Sequence, residues 1–366
     1  MKKNVIWIFL TFIFLLITLF FILPEFFGGV SYKKSEQNII VLSSIPSLDT
    51  VAYDKKLNEL ANNPPPPKPA TKIVKDPKTG EKTIITIKPK TVINLWPVKT
   101  VYPNTGAILP FSRIVAYYGN LYSKKMGVLG EYEEDEMLQR LDVEVKKWEE
   151  ADPYIPVVPA LHYIAVVAQN SPGADGKYRF RMPDKEIDKV LAVAEKVNAI
   201  VFLDFQVGFS TIQIELPLFE KYFKLSNVHL GMDPEFSMKS GIRPGKVVGT
   251  YDATDVNFAA NYLAKIVKEN NLPPKVLVVH RYTQKMLTNY QDIKPLPEVQ
   301  IVMHMDGWGT MAKKIETYKN FIYPEPIQFT GFKLFYKNDV KTAGATLMTP
   351  DEVLKLSPQP IYIQYQ

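Results

Sequence analysis

The chain has 366 residues, 46% of them hydrophobic, enough for one large domain of about 250 residues plus additional segments. Its formal net charge of +6 is concentrated in no single helix, and much of it lies in the lysine-rich stretch from Lys55 to Lys99; without zinc-finger spacing or an arginine-rich helix, nucleic acid is not an expected partner. The absence of cysteine rules out a disulfide framework, a thiol nucleophile and lipid attachment through a cysteine.

Met1-Lys2-Lys3-Asn4 leads into VIWIFLTFIFLLITLFFIL, nineteen residues from Val5 to Leu23 without a charge. At about 1.5 Å per residue a helix of that length just spans a bilayer core of about 30 Å. The stretch is longer than the apolar part of a usual signal peptide, and no A-x-A pattern comes after it. An uncleaved anchor is therefore expected, with a cleaved signal as the competing reading. Lys2 and Lys3 mark the N-terminus as cytoplasmic. Residues 1–30 are then a cytoplasmic N-terminus and transmembrane anchor, and the protein is a single-pass membrane protein whose C-terminal domain is extracytoplasmic. Residues 31–110 read as a Pro/Lys-rich tether. Within it, Asn63-Pro64-Pro65-Pro66-Pro67-Lys68-Pro69 is a stiff polyproline spacer, and TKIVKD and EKTIITIK around Pro77-Lys78-Thr79-Gly80 read as a β-hairpin. The end of the tether, near 94–110, is expected to cover part of the next domain.

From residue 111 to 366 apolar strands alternate with amphipathic helices. The strands are expected at 113–119, 155–168, 199–206, 227–233, 275–280, 299–306, 330–336 and 360–366. Helices are expected at 133–150, 185–197, 211–225, 255–270, 284–290, 310–321 and 350–356. Eight strand–helix alternations over about 250 residues are the period of a TIM (β/α)8 barrel. A doubly wound sheet is the rival, but the Gly-rich phosphate loop that would accompany it is absent.

In such a barrel the active site lies at the C-terminal ends of the strands. The first strand brings Tyr117 and Tyr118 there, and the second brings His162. The third ends with Asp204 and Gln206, and the fourth with Asp233 and Glu235. The fifth gives His280 and Tyr282, and the sixth His304 and Asp306, followed by Gly307-Trp308-Gly309. Each residue has a structural alternative. Asp233 would simply cap the adjoining C-terminal segment, Asp204 would pair with a lysine of a neighbouring strand, and His229, deeper on the fourth strand, reads as structural. The convergence of acids from several strands favours function, because buried charges without purpose are costly. Clustered carboxylates raise one another's pKa, as cleavage of a glycosidic bond requires of its acid, and the aromatic side chains suit sugar faces. No G-x-S-x-G elbow supports a serine hydrolase.

The strand LGMDPEF resembles the D-x-E motif on the fourth strand of family 18 glycoside hydrolases, the chitinase-like barrels. VMHMDGWG resembles their M-x-Y-D element and VAYYG their first strand. The resemblance implies that Glu235 is the acid, that Asp233 positions an N-acetyl group and that Asp306 matches the strand-six aspartate. The chain departs from it at Val228, Gly231, Pro234 and Met305, and no tryptophan ends the eighth strand. The chain is also similar, from residue 113 to about 320, to a family of uncharacterised secreted or lipid-anchored bacterial barrel-like proteins. The shared elements are D-P-E-[WF]-x-M (Asp233 to Met238), L-D-x-Q-x-G (Leu203 to Gly208) and V-V-H-x-[FY] (Val278 to Tyr282).

The expected function is that of a membrane-anchored, extracellular, glycoside-hydrolase-like barrel acting on or binding a cell-surface or cell-wall polysaccharide. Glu235, Asp233, Asp306 and Asp204 are the catalytic candidates. Tyr117, Tyr118, Gln206, His162, His280, His304, Tyr282 and Trp308 are the substrate-binding candidates. No cofactor or metal is assigned on this reading. Two alternatives stand beside it. One is a metal-dependent hydrolase using His162, His280, His304, Asp204 and Asp306 as ligands. The other is a glycan-binding or scaffold protein without turnover.

Overall fold

A computed structural model describes residues 46–65, 70–75, 77, 80, 82–87 and 94–366. The apolar stretch Val5–Leu23 lies outside the described residues, and among the described residues no helix is long and apolar enough to cross a membrane.

The core element is a closed parallel barrel of eight strands. These are β1 Arg113–Gly119, β2 Val157–Ala168, β3 Ile200–Phe205, β4 Val228–Met232, β5 Lys275–Arg281, β6 Val299–Met305, β7 Phe329–Leu334 and β8 Tyr362–Tyr365. Each pairs with its successor, and β8 closes on β1 through Tyr362 opposite Ile114. Each expected strand is present within a few residues, and the chain folds as a TIM (β/α)8 barrel.

The two faces of the strands explain their sequences. Val115, Tyr117, Leu161, Val201, Leu203, Leu277, Val279, Ile301 and Met303 point outward into the layer shared with the helices. Ile114, Ala116, Ala160, Phe202, Val276, Val278, Val302, Phe329 and Tyr362 form a separate apolar cluster in the lower interior. With both faces buried, the strands read as continuous apolar runs rather than alternating ones.

Helices Glu134–Ala151, Asp184–Glu195, Ala253–Asn270 and Met311–Phe321 pack outside the sheet. Two expected helices differ from expectation. The stretch 211–225 breaks into Ile212–Glu215, a 3-10 turn Leu216–Phe219 and Glu220–Phe223, with Pro217 removing a backbone donor at the join. The stretch 284–290 is not a helix. It consists of 3-10 turns at Gln284–Met286 and Tyr290–Asp292 flanking a two-residue strand, and Asn289 between them takes a left-handed φ of 55° that a helix cannot contain.

The N-terminal end of the barrel is closed by chain that precedes it. Helix Thr50–Ala61 starts at Asp49, whose carboxylate accepts from Ala52 N at 2.9 Å, and ends at Asn62 in the left-handed conformation. It buries Tyr53 and Leu60 in the lower interior cluster beside Leu109 and Ile361. Gln359 N donates to Leu60 O at 2.7 Å and Asn62 Nδ2 to Leu356 O at 2.8 Å. Leu109 is held by Gln300 through both its N–H and its carbonyl. The segment from 94 to 110 thus covers the barrel floor as expected, joined by a helix that the sequence did not signal. Ala70–Lys75 and Lys82–Ile87 pair antiparallel as the expected hairpin.

Candidate active site at the barrel mouth

Two residues above the apolar floor, the interior turns polar. Ala116 is followed two positions later by Tyr118, Ala160 by His162, Phe202 by Asp204, Val278 by His280 and Val302 by His304. A period of two keeps each pair on the same face, so the five polar side chains meet in one layer. Room for them comes from two small residues in the same wall. A Cβ on Gly231 would overlap Asp204 Oδ1 and His162 Nε2, and one on Gly331 would lie 2.7 Å from His304 Cδ2.

The layer is fully buried and hydrogen-bonded. Tyr118 donates to Asp204 Oδ2 at 3.0 Å. His162 stacks on Phe202, with Nδ1 2.6 Å from Tyr362 Oη and Nε2 3.4 Å from Asp204 Oδ1. His280 Nδ1 lies 3.0 Å from both Asp306 Oδ2 and His304 Nδ1, and its Nε2 is 3.5 Å from Asp204 Oδ1. Lys333 reaches in from β7, 3.0 Å from Asp306 Oδ1 and 3.7 Å from the centre of the Tyr118 ring.

Charge is set by these contacts. Burial acts against a charged His280, but Asp204 and Asp306 outweigh it and push its pKa up to about 10, so it is a cation at neutral pH. Burial lowers His162 to about 4 despite Asp204, and burial together with the His280 charge keeps His304 neutral. Burial also works against an ionised Asp204, but the His280 charge and the contacts with His162 and His280 hold it well below the usual carboxylate range. Asp306 is likewise held below it, by Lys333 and His280 against burial.

Asp233 and Glu235 lie one layer higher and behave oppositely. β4 ends at Met232, and Pro234 opens a 3-10 turn, Pro234–Phe236. Asp233 caps this turn, its Oδ1 accepting from Glu235 N at 3.1 Å, while Oδ2 accepts from Gln206 Nε2 at 3.2 Å. Gln206 in turn fixes Ala168 N and Tyr118 Oη. The turn is clamped to the loop after β3 by Gly208 N to Phe236 O and Met238 N to Gly208 O. Burial raises the Asp233 carboxyl well above its ordinary value, and Asp204, Glu235 and Asp306 add to this against the His280 charge. Glu235 is only partly buried. Burial raises its pKa, the Asp306 charge adds to this, and the hydrogen bond from Tyr282 opposes it.

The structure therefore brings together Tyr118, His162, Asp204, Gln206, Asp233, Glu235, His280, Tyr282, His304 and Asp306. It separates two candidates from them. Tyr117 points outward, where it packs edge-on against Tyr365 and its Oη lies 3.0 Å from that of Tyr336. Trp308 is half exposed, with Lys313 and Lys341 over its ring. His229 is structural as expected, accepting from Val276 N at 3.0 Å. Sequence reasoning missed Lys333 and Tyr362. Lys333, two residues after Gly331, keeps the period of two but carried no signal of its own, and Tyr362 keeps the same period with Gln364, which in the structure donates to it at 2.9 Å.

No protein-family model and no curated protein matches the chain. Among solved structures it is similar to an endocellulase from Pyrococcus horikoshii, at 14% identity over 81% of this chain and 88% of that one, with a TM-score of 0.37. It is similar to a GH18 chitinase from Pseudoalteromonas aurantia at 10% identity, covering 70% and 94% of the two chains with a TM-score of 0.32. A GH5-4 broad-specificity endoglucanase from an uncultured bacterium matches at 8% identity over 61% and 77%, with a TM-score of 0.30.

Proposed function

We propose that the chain cleaves glycosidic bonds at the C-terminal mouth of its barrel, with Glu235 delivering the proton to the leaving oxygen. One observation carries this reading: Glu235 is the carboxyl of the network that both holds its proton more tightly than usual and lies partly open to solvent. Asp204 and Asp306 are held ionised, and Asp233 is buried. A general acid needs that combination of retained proton and access.

In this mechanism Asp306 supplies fixed negative charge to the oxocarbenium-like centre that develops as the bond breaks, and water adds to that centre, its proton restoring the Glu235 carboxyl. Asp233 is a positioning residue that orients Glu235 through the capped turn. Tyr282 supplies both a hydrogen bond to Glu235 and an aromatic face, and the exposed Trp308 ring offers a stacking surface further out.

The substrate class is a cell-surface or wall polysaccharide, with N-acetyl sugars among its units. The domain works outside the membrane, held there by Val5–Leu23. That location rests on the uncharged stretch and the lysines before it. Protease added to intact cells is expected to remove the domain; a mature N-terminus beginning after Gly29 overturns the anchor.

The catalytic reading is tested with Glu235→Gln. Gln keeps the side-chain volume but cannot deliver a proton, so turnover of a cleaved glycan should fall on the order of a hundredfold or more with glycan affinity retained. Equal turnover in variant and wild type would falsify the assignment. Glycan binding by the wild type without turnover on any of a broad set of polysaccharides moves the protein to the glycan-binding class.

A further inference from the structure

The chemistry assigned to Glu235 leaves the floor of the polar layer without a task. Three atoms there face one another: His162 Nε2 at 3.4 Å and His280 Nε2 at 3.5 Å from Asp204 Oδ1, all within 4.8 Å. The three side chains are fully buried, and none of the three atoms has a hydrogen-bond partner. Their nearest neighbours are one another, at distances long for a hydrogen bond, and a buried polar atom without a well-formed partner costs about 1–3 kcal/mol, so the three converge on a point that a bound ion would satisfy better.

The far side of each group is already engaged. His162 Nδ1 is against Tyr362 Oη, His280 Nδ1 is against Asp306 Oδ2, and Asp204 Oδ2 accepts from Tyr118. An imidazole held through Nδ1 by an oxygen, presenting Nε2 inward, is the arrangement that orients histidine toward a metal. The two distances to Asp204 Oδ1 agree as well. Bonds of about 2.0–2.1 Å at tetrahedral angles separate neighbouring ligand atoms by about 3.3 Å. Gly231 borders the same point, and any side chain there would overlap two of the three atoms.

We propose that His162 Nε2, Asp204 Oδ1 and His280 Nε2 bind one divalent transition-metal ion, with water completing its coordination. Two imidazoles and a carboxylate suit zinc, cobalt, nickel or iron better than magnesium or calcium, which prefer all-oxygen sites. Binding requires a lone pair on each Nε2, so the ion must displace the proton that makes His280 a cation in the empty site, and that proton is released to solvent as the ion enters. The site is independent of Glu235 acting as an acid.

The test uses the full-length chain, stripped with a chelator and titrated with Co2+. One equivalent should bind, with the visible absorption bands of low-symmetry, near-tetrahedral cobalt, and Zn2+ should displace it. His280→Gln and His162→Gln should each weaken binding on the order of a hundredfold or more, whereas His229→Gln, a buried histidine of the same barrel, should not. Tyr362→Phe removes only the oxygen behind His162, leaves all three ligands in place, and should weaken binding about tenfold. Failure of the wild-type chain to take up a stoichiometric ion overturns the proposal whatever the variants do. Unchanged affinity in a folded His280→Gln or in Tyr362→Phe overturns it as well.

Discussion

At the scale of single residues, Asp233 and Glu235 show why two acids one apart need not do the same thing. The period of two holds only while the strand lasts, and β4 stops at Met232. Pro234 turns the chain, so Asp233 becomes a cap and Glu235 is carried to the rim. That both acids lie near one another was legible, and so was the capping alternative for Asp233; that the two side chains part at Pro234 was not, because it depends on where the strand ends. Glu235 faces Asp306, Lys333, His280, Tyr282 and Asp233, and of these Tyr282, Lys333 and His280 stabilise its charged form, Tyr282 most strongly and by a hydrogen bond. Removing a hydrogen bond of about 1 kcal/mol shifts a pKa by about 0.7 unit. Tyr282→Phe should therefore move the alkaline limb of the pH–activity profile upward by about 0.5–1 unit; a limb that stays in place or moves down removes Glu235 from the role of acid. Stability gives the same sign independently. The folded-state pKa of Glu235 lies above its unfolded value, so between the two the folded protein binds the proton more tightly and loses stability as pH rises. Glu235→Gln abolishes that loss and should match or exceed the wild type in melting temperature at neutral pH.

At the scale of elements, the polar layer was legible wherever one strand sufficed. His162, Asp204, His280 and His304 each sit two residues beyond an apolar interior position, and a reader counting by twos finds them. The same count separates Tyr118 from Tyr117, which fills the outer layer against Tyr336 and Tyr365. Lys333 was not legible, because a lysine in an apolar strand looks like a solvated edge, and its partner Asp306 comes from the neighbouring strand. Nor were Gly231 and Gly331 recognisable as spacers, since the side chains they admit come from neighbouring strands or from across the barrel. Alanine at 331 would place its Cβ 2.7 Å from His304 Cδ2 and 2.9 Å from the Tyr362 carbonyl oxygen, which is backbone and cannot yield. Gly331→Ala should cost about 1–3 kcal/mol by overpacking. Gly307→Ala, whose nearest neighbours lie at 3.3 Å, should be close to neutral. Paired thermal melts decide, and equal melting temperatures would mean that the interior wall is softer than this packing implies.

At the scale of the whole molecule, the barrel needs a floor, and the chain provides it from residues that read as a tether. Helix Thr50–Ala61 was hidden because half of it is charged or polar, it buries only Tyr53, Leu60 and Ala61, and it ends two residues before the proline series at 64–67. Its role appears only when the ring is closed and the lower interior cluster is left open at one end. Leu60 is 6% exposed, and its carbonyl accepts from Gln359 just before β8, so the helix is tied to both the core and the last strand. Loss of a buried leucine costs about 2–5 kcal/mol, and a charge in its place costs more. For a domain of this size about 1 kcal/mol corresponds to roughly 2–4 °C. Leu60→Asp should therefore lower the melting temperature on the order of 5–10 °C. A chain beginning at residue 46 should melt like the full-length protein, whereas one beginning at 94 should lose at least as much stability as Leu60→Asp and expose the apolar floor. If the chain beginning at 94 melts with the full-length protein, residues 50–61 are a spacer and not part of the domain. Because the floor and the mouth lie at opposite ends of one interior, Leu60→Asp should also leave the pH–activity profile unchanged at temperatures where the variant remains folded.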